Sequence, residues 1–216
     1  MPSKITNVKD EILVIENIVP VSLQEELISK VQGDQYFPWF LLHRLGHAGH
    51  FAAGESPGYT DPRITDSVAL THMAFDGKDK SQHYDFFRSI LYFFSEKTGI
   101  EVGNIIRIRL RYTHPITGHT SEHYSAPHVD FFTSQPYSTL VYYMNDSDGD
   151  TFIFDKVFDP VEEEYNPVIA EPLVELLRLT PKQGSALFFN GHRYHAGNYP
   201  INNSTRIVIN FDFTTI

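Results

Sequence analysis

Pro127-His128-Val129-Asp130 places an imidazole and a carboxylate two residues apart in this chain. In an extended segment, residues i and i+2 project from the same face, so these two side chains would lie next to each other. Together they form half of a divalent-metal site made of nitrogen and oxygen donors. The third ligand must come from a distant part of the chain.

Two downstream histidines, His192 and His195, compete for this third position in the segment 191–197. Arg206 follows eleven residues after His195 and fourteen after His192, inside the strand-like segment 205–211. Spacing alone leaves both histidines open as ligands. A His-x-Asp pair, a distant histidine and an arginine in an apolar strand indicate a metal site with an anionic ligand nearby.

Composition predicts one globular domain, residues 1–216, without disulfides. The chain has 216 residues, of which 41% are hydrophobic, 14% aromatic and 20% charged, and it has no cysteine. This length suffices for a substantial core, and the lack of cysteine excludes thiolate ligands. The start, Met1-Pro2-Ser3-Lys4, does not resemble a signal peptide, and no apolar segment is long enough to span a membrane. We therefore expect a cytoplasmic protein without a membrane partner.

The formal net charge of −10 argues against a nucleic-acid partner. Such partners are bound mainly by neutralising phosphates, which requires an excess of basic side chains. A local basic patch is the weaker inference, since Arg107, Arg109 and Arg111 fall on one face of a predicted strand.

The first hundred residues are predicted to form helical support and loops around an opening strand at 11–19. A first helix should be capped by Ser22 and run to about Val31, followed by a long loop at 34–63. A second helix is predicted at 82–97, with Ser81 as its N-terminal cap and Gly99 as its stop. Its apolar face is formed by Phe86, Ile90, Phe93 and Phe94.

Residues 101–216 are predicted to be the β-rich core. Strands are expected at 105–112, 138–145, 151–154, 176–179, 186–189 and 206–213. We expect 151–154 to be the hairpin partner of 138–145, and 155–172 to cross the surface as an acidic excursion. Two helices followed by seven or eight short strands predict a mainly β protein, an antiparallel jelly roll backed by helices.

Alternation in the last strand separates two faces. Ile207, Ile209, Phe211 and Phe213 form a bulky face suited to packing on helices, whereas Arg206, Val208, Asn210 and Asp212 face the other way. The second face suits the polar interior of a cofactor pocket. A buried arginine without an anion would be costly, which indicates an anionic ligand for Arg206.

An ordered set of motifs within 105–213 resembles the catalytic barrel of the Fe(II)- and 2-oxoglutarate-dependent oxygenases. The resemblance is to their prolyl 4-hydroxylase-like branch, covers about half of the chain, and implies a double-stranded β-helix. The matching pieces are Arg111-Tyr112, His128-Val129-Asp130, Leu140 to Asn145, Gly149 to Thr151, Pro181 to Ser185, His195-Ala196-Gly197 and Arg206 to Ile209.

The resemblance implies His128, Asp130 and His195 as iron ligands, because the Ala-Gly after His195 matches the family pattern and favours it over His192. It further implies Arg206 as the anchor of the 2-oxoglutarate tail. Tyr143 and Tyr112 match positions that contact this co-substrate, and Asn210 is included because it shares the face of Arg206. One departure is Gly149-Asp150, where many relatives have two glycines.

The implied cofactors are Fe(II), 2-oxoglutarate as co-substrate and dioxygen, with ascorbate as a further candidate. The implied reaction converts 2-oxoglutarate to succinate and hydroxylates a C–H bond of a second substrate. A peptidyl residue, with proline first, is the favoured target, and a free amino acid or small metabolite is the alternative. A non-catalytic jelly-roll module that binds a metal or a sugar is the alternative from another class.

Overall fold

The computed structural model describes residues 3–9, 12–43, 61–65, 68–160 and 173–216. These residues form two helices, α1 (Val21–Ile28) and α2 (Tyr84–Thr98), and two antiparallel sheets. The strands are β1 (Lys4–Lys9), β2 (Ile12–Glu16), β3 (Phe40–Leu42), β4 (Ala69–Phe75), β5 (Val102–Thr113), β6 (Ser138–Tyr143), β7 (Thr151–Val157), β8 (Glu175–Leu179), β9 (Ala186–Asn190), β10 (Arg193–Gly197) and β11 (Arg206–Thr215). The mainly β, antiparallel jelly-roll prediction is confirmed.

The larger sheet has the strand order β1-β2-β9-β6-β11-β5-β4-β3, and the smaller sheet the order β10-β7-β8. The two sheets enclose an apolar layer that includes Val141, Ile153 and Val208. A second, larger core lies on the other side of the larger sheet, where both helices pack. The molecule is therefore layered as helices, large sheet and small sheet, with the interior between the two sheets.

Strand β11 lies in the middle of the larger sheet, between β5 and β6. Its residues Ile207, Ile209, Phe211 and Phe213 belong to the core under the helices. Val208 belongs to the layer between the sheets, and Arg206 and Asn210 line a cavity there. The predicted separation of the two faces is confirmed, because side chains along a strand alternate between its faces.

Helix α1 begins without the predicted cap. Pro20 precedes it and no side chain caps its first amides, so Ser22 lies inside the helix. The proline already fixes an extended backbone at this point, which sets the start without a serine. One π-helical turn, Ser29–Gly33, extends α1 and includes the predicted endpoint Val31.

Helix α2 starts two residues later than predicted and buries a slightly different face. Ser81 accepts a hydrogen bond from the His83 amide at 3.1 Å, but His83 is the residue that precedes the helix. Gly99 ends the helix with φ of 74°, as expected for a left-handed C-terminal residue. The helix buries Tyr84, Phe87, Ile90, Leu91 and Phe94, whereas Phe86 and Phe93 are partly buried.

The predicted hairpin between 138–145 and 151–154 is wrong. Strand β6 pairs with β9 and β11, and β7 pairs with β10 and β8 in the smaller sheet. Both edges of β6 are thus occupied by strands from later in the chain. The turn between β6 and β7 crosses from one sheet to the other, as jelly rolls require.

The first hundred residues contribute more strand than expected. Strands β1, β3 and β4 were not predicted, and all three extend the edges of the larger sheet. Strand β3 lies within the predicted loop 34–63, of which 44–60 lie outside the described residues. Likewise, 161–172 of the predicted excursion lie outside them. Within the described ranges, no helix combines the length and apolar character that crossing a membrane requires.

Candidate metal centre

His128 and His195 are held next to each other by their own backbones. The His128 amide donates to the His195 carbonyl at 2.9 Å, and the His195 amide donates to the His128 carbonyl at 3.0 Å. This isolated antiparallel bridge joins the segment before Asp130 to β10. The two ring centroids are 4.6 Å apart as a result.

Backbone carbonyls orient both imidazoles. Nδ1 of His128 lies 2.9 Å from the Ala126 carbonyl, and Nδ1 of His195 lies 3.1 Å from the Arg193 carbonyl. A carbonyl only accepts, so each Nδ1 must carry the proton and each Nε2 presents its lone pair. Burial, and then the proximity of His195, lower the pKa of His128 well below its usual value. His128 is therefore a neutral imidazole, the form that binds metals.

Asp130 places one carboxylate oxygen next to the Nε2 atom of His195. Its Oδ1 atom pairs with Nη2 of Arg107 and, at 3.1 Å, with Nη2 of Arg109. Its Oδ2 atom lies 3.5 Å from Nε2 of His195, and neither of these two atoms has a hydrogen-bond partner among the described residues. Burial alone would raise the pKa of Asp130, but Arg107, His195 and Arg109 outweigh it and hold this pKa well below its usual range.

The three side chains offer ligand atoms that all lie within 4.8 Å of one another. Within the described residues, this is the one such group of histidine, cysteine or acidic side chains. Two imidazoles that present their Nε2 atoms and one carboxylate held ionised by its arginines, with buried atoms lacking partners, fit a divalent metal ion. This set of two histidines and one carboxylate suits non-haem Fe(II).

His192 lies outside this group. Its ring packs edge-on against Tyr137 and Phe158, with centroids 5.1 and 5.9 Å away. Its amide donates to the side chain of Asn190, the last residue of β9. The structure thus brings His195, and not His192, to His128 and Asp130.

The three arginines of β5 face the interior and do not form a basic patch on the surface. Arg107 joins Asp130 to Asp212: its Nε donates to Asp212 Oδ2 at 2.9 Å, and its Nη2 pairs with Asp130. Thr139 donates to the other oxygen of Asp212 at 2.9 Å. Burial raises the pKa of Asp212 to about 6 despite Arg107. This buried network fixes the orientation of the Asp130 carboxylate.

Replacing Arg107 by Met should destabilise the fold by about 3–5 kcal/mol, because two buried carboxylates lose their shared counter-charge. Urea unfolding of the metal-free protein measures this loss. Lys78→Met, at an exposed lysine, is the control and should stay within about 0.5 kcal/mol of the parent protein. Equal stability of the two variants would contradict the proposed role of the network.

A cavity lined by both histidines extends into the layer between the sheets. Arg206 lies in its wall, where its Nε donates to the Gly149 carbonyl at 2.7 Å and its Nη2 donates to Thr151 Oγ1 at 2.8 Å. The polar residues that line the cavity are Arg111, Thr113, Ser125, His128, Thr151, His195, Asn198, Arg206 and Asn210.

Gly149 is required by its close contact with Arg206. A Cβ atom at Gly149 would lie 2.8 Å from Arg206 Cδ, 2.8 Å from the Asn198 carbonyl oxygen and 2.9 Å from the Pro200 nitrogen. Asp150, in place of the second family glycine, accepts a hydrogen bond from Arg178 Nε at 2.6 Å. Asp150, where the resemblance expects a second glycine, therefore forms an ion pair.

Gly149→Ala should displace the Arg206 side chain and destabilise the fold by about 1–3 kcal/mol, as overpacking does. Urea unfolding measures the change. Gly33→Ala is the matched control, because a Cβ there meets one side-chain atom at an ordinary 3.5 Å. An unchanged Gly149→Ala protein would show that the contact with Arg206 is not restrictive.

Of the other residues expected to contact the co-substrate, Tyr143 and Asn210 lie at or near the cavity and Tyr112 does not. Tyr143 is fully buried and donates at 2.9 Å to Thr151 Oγ1, the same atom that accepts from Arg206. Asn210 lines the cavity, and its Oδ1 is buried without a partner among the described residues. Tyr112 lies on the opposite face of β5, against Trp39 and His114, so the structure does not bring it to the cavity. The alternation that directs Arg111 inward directs Tyr112 outward.

Thr151 and Arg107 were missed from the sequence as functional residues. Thr151 is hydrogen-bonded to both Tyr143 and Arg206, and Arg107 supports Asp130. The signal for Arg107 was the alternation of arginines with apolar residues in β5. Its meaning depends on the pairing of β5 with β11, which sets Arg107 opposite Asp212.

No protein-family model matches the sequence. No curated protein matches it either. Solved structures do match. SnoN, a non-heme α-ketoglutarate-dependent epimerase from nogalamycin biosynthesis, superposes with a TM-score of 0.58 at 11% identity, over 95% of this chain and 79% of that chain. SnoN has been crystallised with Fe3+, α-ketoglutarate and nogalamycin RO.

Two further structures show the same similarity. An oxidoreductase of the 2OG-Fe(II) oxygenase family from Burkholderia pseudomallei gives a TM-score of 0.56 at 12% identity, over 94% of this chain and 84% of that one. A Trichoplax adhaerens prolyl hydroxylase, in complex with a peptide fragment of hypoxia inducible factor, gives 0.53 at 14% identity, over 95% and 84%. The expected resemblance is confirmed for the fold: this chain has the jelly-roll fold of the 2OG-Fe(II) oxygenases, prolyl hydroxylases included.

Proposed function

We propose that this protein is an Fe(II)- and 2-oxoglutarate-dependent dioxygenase that hydroxylates a C–H bond. One observation supports this above the others. The ligand atoms of His128, Asp130 and His195 converge at one end of a cavity whose wall also holds the buried guanidinium of Arg206. A metal-binding group and a cation in one cavity suit a dicarboxylate that chelates the metal at one end.

In this proposal His128 Nε2, His195 Nε2 and Asp130 Oδ2 hold the iron, which would supply the activation of dioxygen. Arg206 receives the far carboxylate of 2-oxoglutarate through charge-assisted hydrogen bonds. Thr151 holds the guanidinium in place, and Tyr143 in turn holds Thr151. Asn210 offers a further hydrogen-bonding group in the cavity wall.

For the second substrate, we propose a peptidyl residue, with proline first, or a free amino acid or small metabolite. The Trichoplax prolyl hydroxylase supports the first class, since it was solved with a peptide, and SnoN supports the second, since it was solved with a natural product. The reaction would release succinate and carbon dioxide from 2-oxoglutarate. The rival class is a jelly-roll module that binds a metal or sugar without turnover.

Anaerobic titration tests this proposal. Purified protein is loaded with Fe(II) and then titrated with 2-oxoglutarate, and the visible charge-transfer band of the chelate is recorded. The expected result is a saturable band that is missing in Asp130→Ala. A folded, iron-loaded protein without the band would refute the co-substrate assignment and support the binding module instead.

A further inference from the structure

Arg111 is a partly buried arginine that has no hydrogen-bonding or ion-pairing partner among the described residues. It lines the cavity together with His128, His195 and Arg206, yet no hydrogen bond or ion pair joins it to a described residue, and its Nε is buried without a partner. Burying an unpaired guanidinium is costly. Arg111 therefore needs an anion that enters the cavity.

The charges around the cavity point the same way. Four arginines, Arg107, Arg109, Arg111 and Arg206, face two carboxylates, Asp130 and Asp212. An Fe(II) ion and the dianion of 2-oxoglutarate would cancel each other, so the proposed cofactors leave the excess of two positive charges unchanged. A further anion would reduce it.

The position of Arg111 separates it from the carboxylates of 2-oxoglutarate. The β5–β11 register sets Arg206 opposite Thr113, Arg111 opposite Val208 and Arg109 opposite Asn210. Arg109 contacts Asp130 at the metal end, so Arg111 lies between the metal end and Arg206. A 2-oxoglutarate that spans this distance presents two methylene groups in its middle, which give a guanidinium no acceptor.

We propose that Arg111 forms an anion subsite, separate from Arg206, that binds a carboxylate of the substrate to be oxidised. This inference rests on the proposed function and narrows its substrate class to molecules that carry a carboxylate close to the reacting C–H bond. The carboxylate has two sources, the α-carboxylate of a free amino acid or an acidic side chain in a peptide. A neutral peptide segment would leave Arg111 unpaired.

Acetate is the probe, with acetamide as its neutral counterpart. Each is added to the anaerobic complex with Fe(II) and 2-oxoglutarate, and the charge-transfer band and the melting temperature are recorded. Acetate, but not acetamide, should perturb the parent protein saturably. In Arg111→Gln the acetate effect should weaken at least about tenfold, because a charge-assisted bond is lost. Acetate bound directly to iron would perturb both proteins and is thereby recognised.

The affinity for 2-oxoglutarate separates the subsite from the co-substrate site. Arg111→Gln should raise the dissociation constant of 2-oxoglutarate less than Arg206→Gln does, because Arg111 faces the methylene groups and donates no hydrogen bond to either carboxylate of the co-substrate. A loss as large as that in Arg206→Gln would overturn the proposal and assign Arg111 to the co-substrate. Equal acetate effects in the parent protein and Arg111→Gln would also overturn it. Arg111→Lys retains the charge and should keep part of the acetate effect.

Two substrate probes then distinguish the sources of the carboxylate. L-proline carries only an α-carboxylate, and acetyl-prolyl-aspartyl amide carries only a side-chain carboxylate. If L-proline perturbs the band and Arg111→Gln weakens this effect, the substrate is a free amino acid. If acetyl-prolyl-aspartyl amide does so, the substrate is an acidic peptide. Perturbation by acetyl-prolyl-asparaginyl amide that is unaffected in Arg111→Gln would overturn the subsite. A parent protein that shows no charge-transfer band at all refutes the proposed function itself, and it does so before any acetate is added.

Discussion

His195→Ala is expected to lose Fe(II) binding by more than about 100-fold, because the loss of an outer partner of a metal ligand alone accounts for about 10–100-fold. The imidazole supplies one of three ligand atoms, and no other described histidine joins His128 and Asp130 within the group. Turnover of 2-oxoglutarate should fall to background. Anaerobic titration with Fe(II), followed by the charge-transfer band, measures the loss.

His192→Ala is the matched control, since this histidine lies three residues earlier and packs against Tyr137 and Phe158. It should retain metal binding and the band, with some loss of stability from the removed ring contacts. Circular dichroism of both variants establishes that they fold. Retained iron binding in His195→Ala, or its loss in His192→Ala, would exchange the roles of the two residues.

Arg206→Gln should weaken 2-oxoglutarate binding by about 30-fold or more, since truncating one partner of a buried charge pair costs about 2–5 kcal/mol. The glutamine cannot neutralise the far carboxylate. Titration of the iron-loaded variant with 2-oxoglutarate measures the affinity, and Fe(II) binding measured beforehand should be little changed. An unchanged dependence on 2-oxoglutarate would contradict the assignment.

Arg206→Lys and a stability measurement complete this test. Arg206 also donates to Gly149 and Thr151, so its replacement removes two structural hydrogen bonds. Lysine keeps the charge without the planar fork, and we expect it to recover part of the affinity. A loss of affinity that tracks the loss of stability in both variants would indicate a structural role alone.

The features of the fold that depend on neighbouring residues in the sequence could be predicted from the sequence. The alternation of Ile207 and Ile209 with Arg206 and Val208 was sufficient to assign the two faces of β11, and Gly99 was sufficient to end α2. The pairing of β7 could not be predicted the same way. It depends on which strands occupy the edges of β6, and those strands lie more than forty residues later.

The candidate site likewise has residues that the sequence reveals and residues whose roles depend on strand pairing. His-x-Asp and the later histidine are visible in the sequence, and the structure brings them together. The roles of Arg107 and Arg111 were not visible, because both appear as one basic stripe until the register sets Arg107 opposite Asp212 and Arg111 opposite Val208. Tyr112 was assigned to the co-substrate by resemblance alone, and the alternation along β5 directs it to the other face, against Trp39 and His114.

The reciprocal amide bonds between His128 and His195 have a consequence for how the protein would acquire the proposed metal ion. Two of the three donors are positioned by main-chain bonds that need no ion, so the conformational entropy of arranging them is lost during folding and not on loading. We therefore expect a chelator to strip the ion from a chain that stays folded, and fresh Fe(II) to restore it without a refolding step. Metal supply would then limit the active fraction of the protein without limiting its abundance.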